Sequence, residues 1–370
     1  MKKILSKIIL FLSILSVIAL LITGYAGRLN PNSWAWLALA GYGFPMALAM
    51  TVGMLMICAL MRKRLLIIPF AGLLLAYQPV TTYCPLHKET KDVPQEAFSF
   101  MSYNSYNWGR GDFNKAERDS FHVQFFDYLN KHKTDIICLQ EANTNKLQNK
   151  IDSILPPDVY HCDTVRGKGG SVVTIISRFP IIRKQLIKYE TQGNNSAAFW
   201  LNIKGREVIV INNHLQTMGF SMQERRNFGD MMIGERREKD YIKSTSRTII
   251  GKILEASKVR SHQADSIAAF IRRHAGTPII ICGDFNDIPQ SYTYHTITNP
   301  GKGANGNDVE ITDCYRTTAL GPGYSYGHFG MRVRIDNILC SQELTPYNAK
   351  VDGTTDCSDH YPISCKFTLN

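Results

Sequence analysis

The chain has 370 residues, 44% of them hydrophobic, and a formal net charge of +11. That length suits two units better than one small domain. Of the 42 basic and 31 acidic residues, residues 1–91 hold nine Lys/Arg and one acid, Glu89, so the remainder is nearly neutral and the overall charge is not a nucleic-acid footprint.

Residues 4–24 form an apolar run preceded by Lys2, Lys3 and Lys7, long enough to cross a bilayer. A signal peptide is the alternative, but the apolar core is too long and no clean small-x-small cleavage site follows. A second run covers residues 34–60 and ends in Arg62-Lys63-Arg64; a third, 65–80, is shorter and contains Pro69. If the first two runs span, their basic clusters share one side, which the positive-inside rule makes cytoplasmic. A third span then places everything after about Thr82 on the outer face, whereas a re-entrant third run would leave it in the cytoplasm. The expected organisation is a multi-pass anchor of about three transmembrane helices over 1–86, a polar linker over 87–96 and a soluble domain over 97–370.

In the soluble part, residues 97–103 read as a strand followed by Asn104. Residues 115–132 read as a helix with Phe121, Phe125, Phe126 and Leu129 on one stripe. A buried strand over 135–139 ends in Gln140-Glu141. Strands follow over 171–177, 181–187, 197–203 and 207–212, the last running into Asn213-His214. Residues 218–274 are helical and charged, with Arg225-Arg226 and Arg236-Arg237; they read as a solvated face, or as a lid or membrane-surface helix beside a site. Residues 279–282 are a buried strand that Gly283 is expected to end, with Asp284 and Asn286 two residues apart beyond it. A tyrosine-rich segment (291–296) and a Gly-rich loop (301–306) follow. Asp336 lies within a strand over 334–339, and Asp359-His360 precede the last strand, 363–369. Short strands interspersed with helices predict a layered α/β domain.

The nine cysteines form no CxxC and no zinc spacing. Cys138, Cys282 and Cys340 fall in predicted buried strands, where a free thiol acts as a small hydrophobe. Cys84, Cys162, Cys314, Cys357 and Cys365 are available for pairing if the domain lies outside the cytoplasm.

Strand after strand thus ends in an acid, an amide or an imidazole. Any one of these is explained by a turn, a helix cap or a satisfied core histidine. The set as a whole implies phosphoester hydrolysis by direct attack of water. Glu141 suits a hard divalent ion, Mg²⁺ or Mn²⁺, that neutralises phosphoryl and leaving oxygens. His360 is a candidate to activate water or steady the phosphorane, with Asp336 fixing its other nitrogen. Asp284 can orient or deprotonate water, and Asn286 can donate to a phosphoryl oxygen.

These residues resemble the endonuclease/exonuclease/phosphatase superfamily, the DNase I-like fold. The motifs are Asn104, Leu139-Gln140-Glu141, Ser177-Arg178-Phe179-Pro180, Asn213-His214-Leu215, Gly283-Asp284-Phe285-Asn286, Arg334-Ile335-Asp336 and Ser358-Asp359-His360, in the family's order. The resemblance implies a four-layered α/β sandwich of two facing mixed sheets flanked by helices. It implies Glu141 as main metal ligand, with Asn104 and Asp359 close to the metal or phosphate. It implies Asp284 and Asn286 acting on water and phosphate, His214 contacting the scissile phosphate, and Asp336 orienting His360. Whether His360 or Asp284 is the base stays open. His at 214 is similar to the deoxyribonuclease and phosphodiesterase branches; the abasic-site nuclease branch tends to place Tyr there.

Fold and site give a reaction class, not a substrate. Nuclease, phospholipid or sphingomyelin phosphodiesterase, and sugar- or inositol-phosphate phosphatase all fit. The near-neutral soluble part argues against tight duplex binding, and an outward-facing anchor favours lipid headgroups or extracellular nucleic acid. Tyr324, Tyr326, His328 and Phe329 form an aromatic loop that suits stacking on a base, resting on a membrane, or plain packing. A non-catalytic membrane-bound binding module is the reading of a different class; the intact Glu141, Asp284 and His360 argue against it. No protein partner is expected.

Overall fold

The apolar N-terminal runs become five helices: α1 (Lys2–Gly24), α2 (Ala35–Leu39), α3 (Phe44–Met61), α4 (Ile67–Leu75) and α5 (Tyr77–Tyr83). This computed structural model describes residues 2–109, 114–144, 147–191, 193–304, 306–327, 331–355 and 357–370. Lys3–Gly24 and Ala35–Met61 are each long and apolar enough to cross a membrane. The third run is not one straight span, because α4 and α5 meet at 68°. Pro79 explains the break. It has no N–H for the carbonyl of Leu75, four residues earlier, and its ring crowds that carbonyl. The freed Leu75 oxygen instead accepts from the Tyr25 hydroxyl at 2.6 Å.

The rest of the chain runs β1 (Phe98–Asn104), α6 (Lys115–His132), β2 (Ile136–Gln140), α7 (Gln148–Ile154), β3 (His161–Arg166), β4 (Val172–Ser177), β5 (Ile181–Ile187), β6 (Asn195–Ile203), β7 (Arg206–His214), α8 (Met222–Ile233), α9 (Lys239–Arg273), β8 (Ile279–Asp284), α10 (Tyr292–Thr298), β9 (Ile311–Asp313), α11 (Cys314–Thr318), β10 (Asp336–Ser341), β11 (Leu344–Val351) and β12 (Ile363–Leu369). One sheet has the order β11-β12-β1-β2-β4-β3 and the other β5-β6-β7-β8-β10-β9. Both are mixed: β1 and β2 are parallel, as are β7 and β8, while most other pairs are antiparallel.

Strand alternation sorts the side chains into layers. Phe100, Cys138, Ile175, Phe199, Val210 and Ile280 meet between the sheets. Ile209, Ile211 and Ile281 point the other way, onto Ile267, Phe270 and Ile271 of α9. Met101, Ile137 and Leu139 take Phe121, Phe125 and Leu129 of α6. The result is helix, sheet, sheet, helix. Near one end a buried amide joins the sheets: Asn212 Nδ2 donates to the carbonyls of Leu139 and Thr174, and Gln140 Nε2 donates to Asn212 Oδ1 at 2.7 Å.

Several details depart from expectation. Gly283 does not end its strand; β8 continues to Asp284, paired with β7 by Asn213↔Gly283 and His214↔Asp284. Gly283 has φ +117°, and a Cβ there would lie 2.0 Å from the Asn213 carbonyl oxygen. Gly283→Ala is therefore expected to destabilise the fold by at least about 2 kcal/mol, read as a lowered denaturant midpoint. Asp336 opens β10 rather than sitting within it. Among the described residues no two cysteines are joined in a disulfide. The linker does not hang loose either: His87 N–H bonds the Ala319 carbonyl, and Thr90 pairs with Asn348.

The N-terminal helical segment is docked on the sheet-bearing part rather than tethered to it. A Cβ on Gly27 would lie 2.5 Å from the Ser291 carbonyl oxygen, and one on Gly41 would lie 2.8 Å from that of Gln290. Asn32 donates to Ser261 Oγ, and Tyr42 donates to Asp287 Oδ1 at 3.1 Å. Arg334 donates to the Thr82 carbonyl at 2.7 Å, and the Tyr83 and Tyr324 hydroxyls pair. The segment 25–43 and the end of α5 thus grip the loop after β8 and the approach to β10.

Candidate active site

The register of the strands brings the polar strand ends together. Asn104↔Gln140 aligns the ends of β1 and β2, and His214↔Asp284 those of β7 and β8; Asp336, first in β10, lies opposite Asp284. Carboxyl ends of parallel strands are a recurrent place for ligands in α/β sheets. Glu141, His214, Asp284, Asn286, Asp359 and His360 line a cleft of about 320 Å³ there.

At its floor, His360 Nδ1 bonds Asp336 Oδ2 at 2.8 Å, and His360 Nε2 lies 3.7 Å from Asp284 Oδ2. Asp336 Oδ1 is buried with no partner among the described residues, which leaves that carboxylate dedicated to the imidazole. The Tyr326 ring packs edge-on against His360 at 5.2 Å. Burial works against the imidazolium, but the charges of Asp336, Asp284 and Asp359 outweigh it and hold His360 well above its ordinary range. Asp284 is lifted to about 6, first by burial; His360, His214 and the Asn286 N–H pull back, while Asp336 adds to the rise. A carboxylate near neutrality is suited to exchanging a proton with water.

Asn104 lies between the acids. Its Nδ2 donates to Asp284 Oδ2 at 3.1 Å and to Glu141 Oε1 at 3.3 Å, while its Oδ1 accepts from Tyr106 N–H. His214 Nε2 sits 3.5 Å from Glu141 Oε1 and 3.9 Å from Asp284 Oδ2, with Nδ1 3.5 Å from Ser171 Oγ. Glu141 and Asn286, immediately past strand ends or within two residues of them, have φ of +57° and +50°. Such a backbone costs about 1–3 kcal/mol per residue and persists where the surroundings impose it. At Asn286 the cause is visible: its N–H bonds Asp284 Oδ1, and its Nδ2 bonds both Asp284 Oδ2 and the Leu215 carbonyl. Both amide hydrogens are used, so the side chain buttresses Asp284 and has none left for a phosphoryl oxygen, contrary to the sequence expectation.

The charged helical run divides between the two readings offered for it. α9 buries Arg260, Gln263, Ala264 and Ile267 in the fold. α8 borders the cleft, started by a Ser221/Glu224 capping box and tied to α9 by Lys252–Glu224 at 2.6 Å. It presents Arg225, whose Nη1 lies 3.2 Å from the Tyr326 hydroxyl and 3.7 Å from Asp359 Oδ2. Sequence reading assigned Arg225 no role, since nothing in a charged helix marks one arginine as inward. Tyr326 belonged to the aromatic loop already singled out; His328 and Phe329 of that loop lie outside the described residues.

Residues 104–360 match the model of the Endonuclease/Exonuclease/phosphatase family, and residues 6–83 match that of a Domain of unknown function (DUF8431). No curated protein matches the chain. Among solved structures, an endonuclease/exonuclease/phosphatase family protein from Bacteroides thetaiotaomicron is similar at 17% identity and TM-score 0.51, over 77% of this chain and 100% of that one. The humanized D. rerio TDP2 is similar at 15% identity and TM-score 0.51, over 74% and 100%. ANGEL2, a 2',3'-cyclic phosphatase solved with adenosine-2',3'-vanadate, follows at 17% identity and TM-score 0.50, over 74% and 96%. At these identities the likeness is one of fold.

Proposed function

Because the chain belongs to the endonuclease/exonuclease/phosphatase family, whose members are phosphoester hydrolases, we propose that it is a membrane-anchored, divalent-metal-dependent phosphoester hydrolase that uses direct attack by water. The observation that carries this reading is the cluster of Asp284, Asp336 and His360 facing Glu141 and His214 across one cleft.

A hard divalent ion fits this donor set. Glu141 Oε1 has only long contacts, at 3.3 and 3.5 Å, and its carboxylate is partly exposed to the cleft. Asp284, Asp336 and His360 also lie within 4.8 Å of one another. Their atoms, however, are already matched: His360 Nδ1 to Asp336, and Asp284 to Asn104 and Asn286. Glu141 would therefore hold Mg²⁺ or Mn²⁺, with Asp359 as second carboxylate. Asn104, whose Nδ2 donates to both acids, would set the spacing between Glu141 and Asp284, and its Oδ1 keeps a lone pair for the ion beside the Tyr106 N–H. When bound, the ion neutralises phosphoryl and leaving oxygens.

The protein's own groups do the rest. Asp284 takes a proton from water as the water oxygen bonds to phosphorus. The bond from phosphorus to the leaving oxygen breaks, and that oxygen takes a proton from solvent. His360, fixed by Asp336, turns a positive Nε2–H toward the charge that develops on phosphorus-bound oxygens. His214 is placed to contact the same phosphate.

The docked anchor supports outward placement. Segment 25–43 and the α/β domain touch each other, so they share one side of any membrane, and Arg62-Lys63-Arg64 lies at the opposite end of α3. With that basic cluster in the cytoplasm, the bent α4–α5 pair completes a third crossing and the cleft faces out. A reporter fused after residue 90 checks this; a cytoplasmic signal contradicts it.

The activity test uses the full-length protein in detergent with bis(p-nitrophenyl) phosphate and p-nitrophenyl phosphate. Hydrolysis is expected with Mg²⁺ or Mn²⁺, none with chelator, and about 10³-fold less in Glu141→Ala. Undiminished rates in chelator or in the variant would remove the metal assignment.

A further inference from the structure

Helix α8 brings to the cleft a cation that the mechanism does not use. Arg225 lines the cleft, and among the described residues it is the one Lys or Arg that does. Its side chain is 23% exposed, so a ligand in the cleft can reach it. A guanidinium offers five N–H donors. Among the described residues a single hydrogen bond draws on them, from Nη1 to the Tyr326 hydroxyl at 3.2 Å. The Asp359 carboxylate lies 3.7 Å from the same nitrogen, an ion pair beyond hydrogen-bond reach.

The arginine is nonetheless held in place. The Ser221/Glu224 capping box fixes the start of α8, and Lys252 of α9 bonds both Glu224 and the Gly219 carbonyl. Tyr326 is fixed in turn, because its N–H and its carbonyl both pair with Val333 while its ring lies edge-on to His360. One tyrosine therefore separates the guanidinium from the catalytic imidazole. A donor group fixed beforehand binds with less ordering cost.

The surrounding charges narrow what Arg225 can take. His360 is already shared between Asp336 and Asp284, so Arg225 is the cation with donors to spare. A phosphomonoester carries nearly two negative charges near neutrality and presents three acceptor oxygens. A diester has one charge fewer, and one of those oxygens is tied up in a second ester link. A nucleic-acid strand needs a row of cations along its backbone. One arginine beside an apolar wall of Met218, Phe220, Met331, Val333 and Ile335 is not such a row.

We infer that Arg225 is a specificity-determining residue that selects a phosphomonoester. Its guanidinium takes the third phosphoryl oxygen, the one a second ester link would occupy, while the other two face His360 and His214. This rests on the hydrolase reading above and names its substrate class.

The test uses full-length protein in detergent with Mg²⁺ or Mn²⁺. p-Nitrophenyl phosphate is compared with methyl p-nitrophenyl phosphate, which has the same leaving group and one charge fewer. The parent is expected to prefer the monoester. Arg225→Met should bring the monoester-to-diester ratio of kcat/KM down at least about tenfold and raise the Ki of inorganic phosphate by a similar factor. Arg225→Lys keeps the charge without the planar fork and should fall between the two. Equal losses on both esters would mean that the arginine only balances Asp359 and steadies Tyr326. That result would overturn the inference while leaving the hydrolase reading intact, and so would a parent that prefers the diester. Hydrolysis of neither ester by the parent would overturn the hydrolase reading itself, and the inference with it.

Discussion

His360→Gln and Asp336→Asn are each expected to lower kcat by about 10²–10⁴-fold, with KM little changed, and the double variant should lose hardly more than the worse single one. The reason is geometric. Asp336 spends one oxygen on His360 Nδ1 at 2.8 Å and has no described partner for the other. Its contribution to the reaction therefore passes through the imidazole. Asparagine keeps the shape but removes the charge that sustains the imidazolium. Glutamine fills much of the space of the ring and can offer a neutral amide N–H, but it cannot carry the imidazolium charge. Groups that act as one unit are strongly non-additive. Initial rates on bis(p-nitrophenyl) phosphate with the four full-length proteins decide the matter. If the two losses multiplied, Asp336 would have a role separate from His360. At 1.36 kcal/mol per tenfold, a thousandfold loss is about 4 kcal/mol of transition-state stabilisation, far more than one weakened neutral hydrogen bond supplies.

Most of the sheet framework was legible in the chain. Residues 171–177, 279–282 and 363–369 are apolar or β-branched runs, and they form β4, β8 and β12. The strands that escaped reading are the edges. β3 is His-Cys-Asp-Thr-Val-Arg, with one fully buried side chain, and β11 carries Pro346. An edge strand is held by a single neighbour and tolerates polar residues and proline, so it leaves little pattern. The polar positions at strand ends were legible because so many of them end in acid, amide or imidazole, but their contacts were not. Spacing brings Asn286 to the side of Asp284; it does not reveal that Leu215 and Asp284 consume its amide hydrogens. The docking of the N-terminal segment was silent for a similar reason. Gly27 and Gly41 act by lacking a side chain, and the surface they meet, Gln290 and Ser291, lies some 250 residues further along the chain.

That docking passes through Asp287, and Arg260→Met is expected to destabilise the protein by about 3–5 kcal/mol. Arg260 is 0% and Asp287 3% exposed; Arg260 Nε donates to Asp287 Oδ2 at 3.0 Å, Nη1 to the Gln216 carbonyl, and Nη2 to Ser257 Oγ. Removing the guanidinium leaves a buried carboxylate with only neutral donors: the hydroxyls of Tyr42 and Thr293 and the Ile288 N–H. Three neutral donors do not neutralise a desolvated charge, so most of the penalty stands. Tyr42→Phe takes one neutral donor from an Asp287 that keeps its cation, and about 1 kcal/mol is the expected cost. Thermal unfolding in detergent separates the cases: a fall on the order of 10 °C for Arg260→Met and a few degrees for Tyr42→Phe. Asp287→Asn placed on Arg260→Met should recover part of the loss, because it removes the stranded charge. If Arg260→Met unfolded like the parent, Asp287 would be solvated or neutral in the folded protein. The loop after β8 would then be held to α9 and the N-terminal segment by packing and neutral hydrogen bonds.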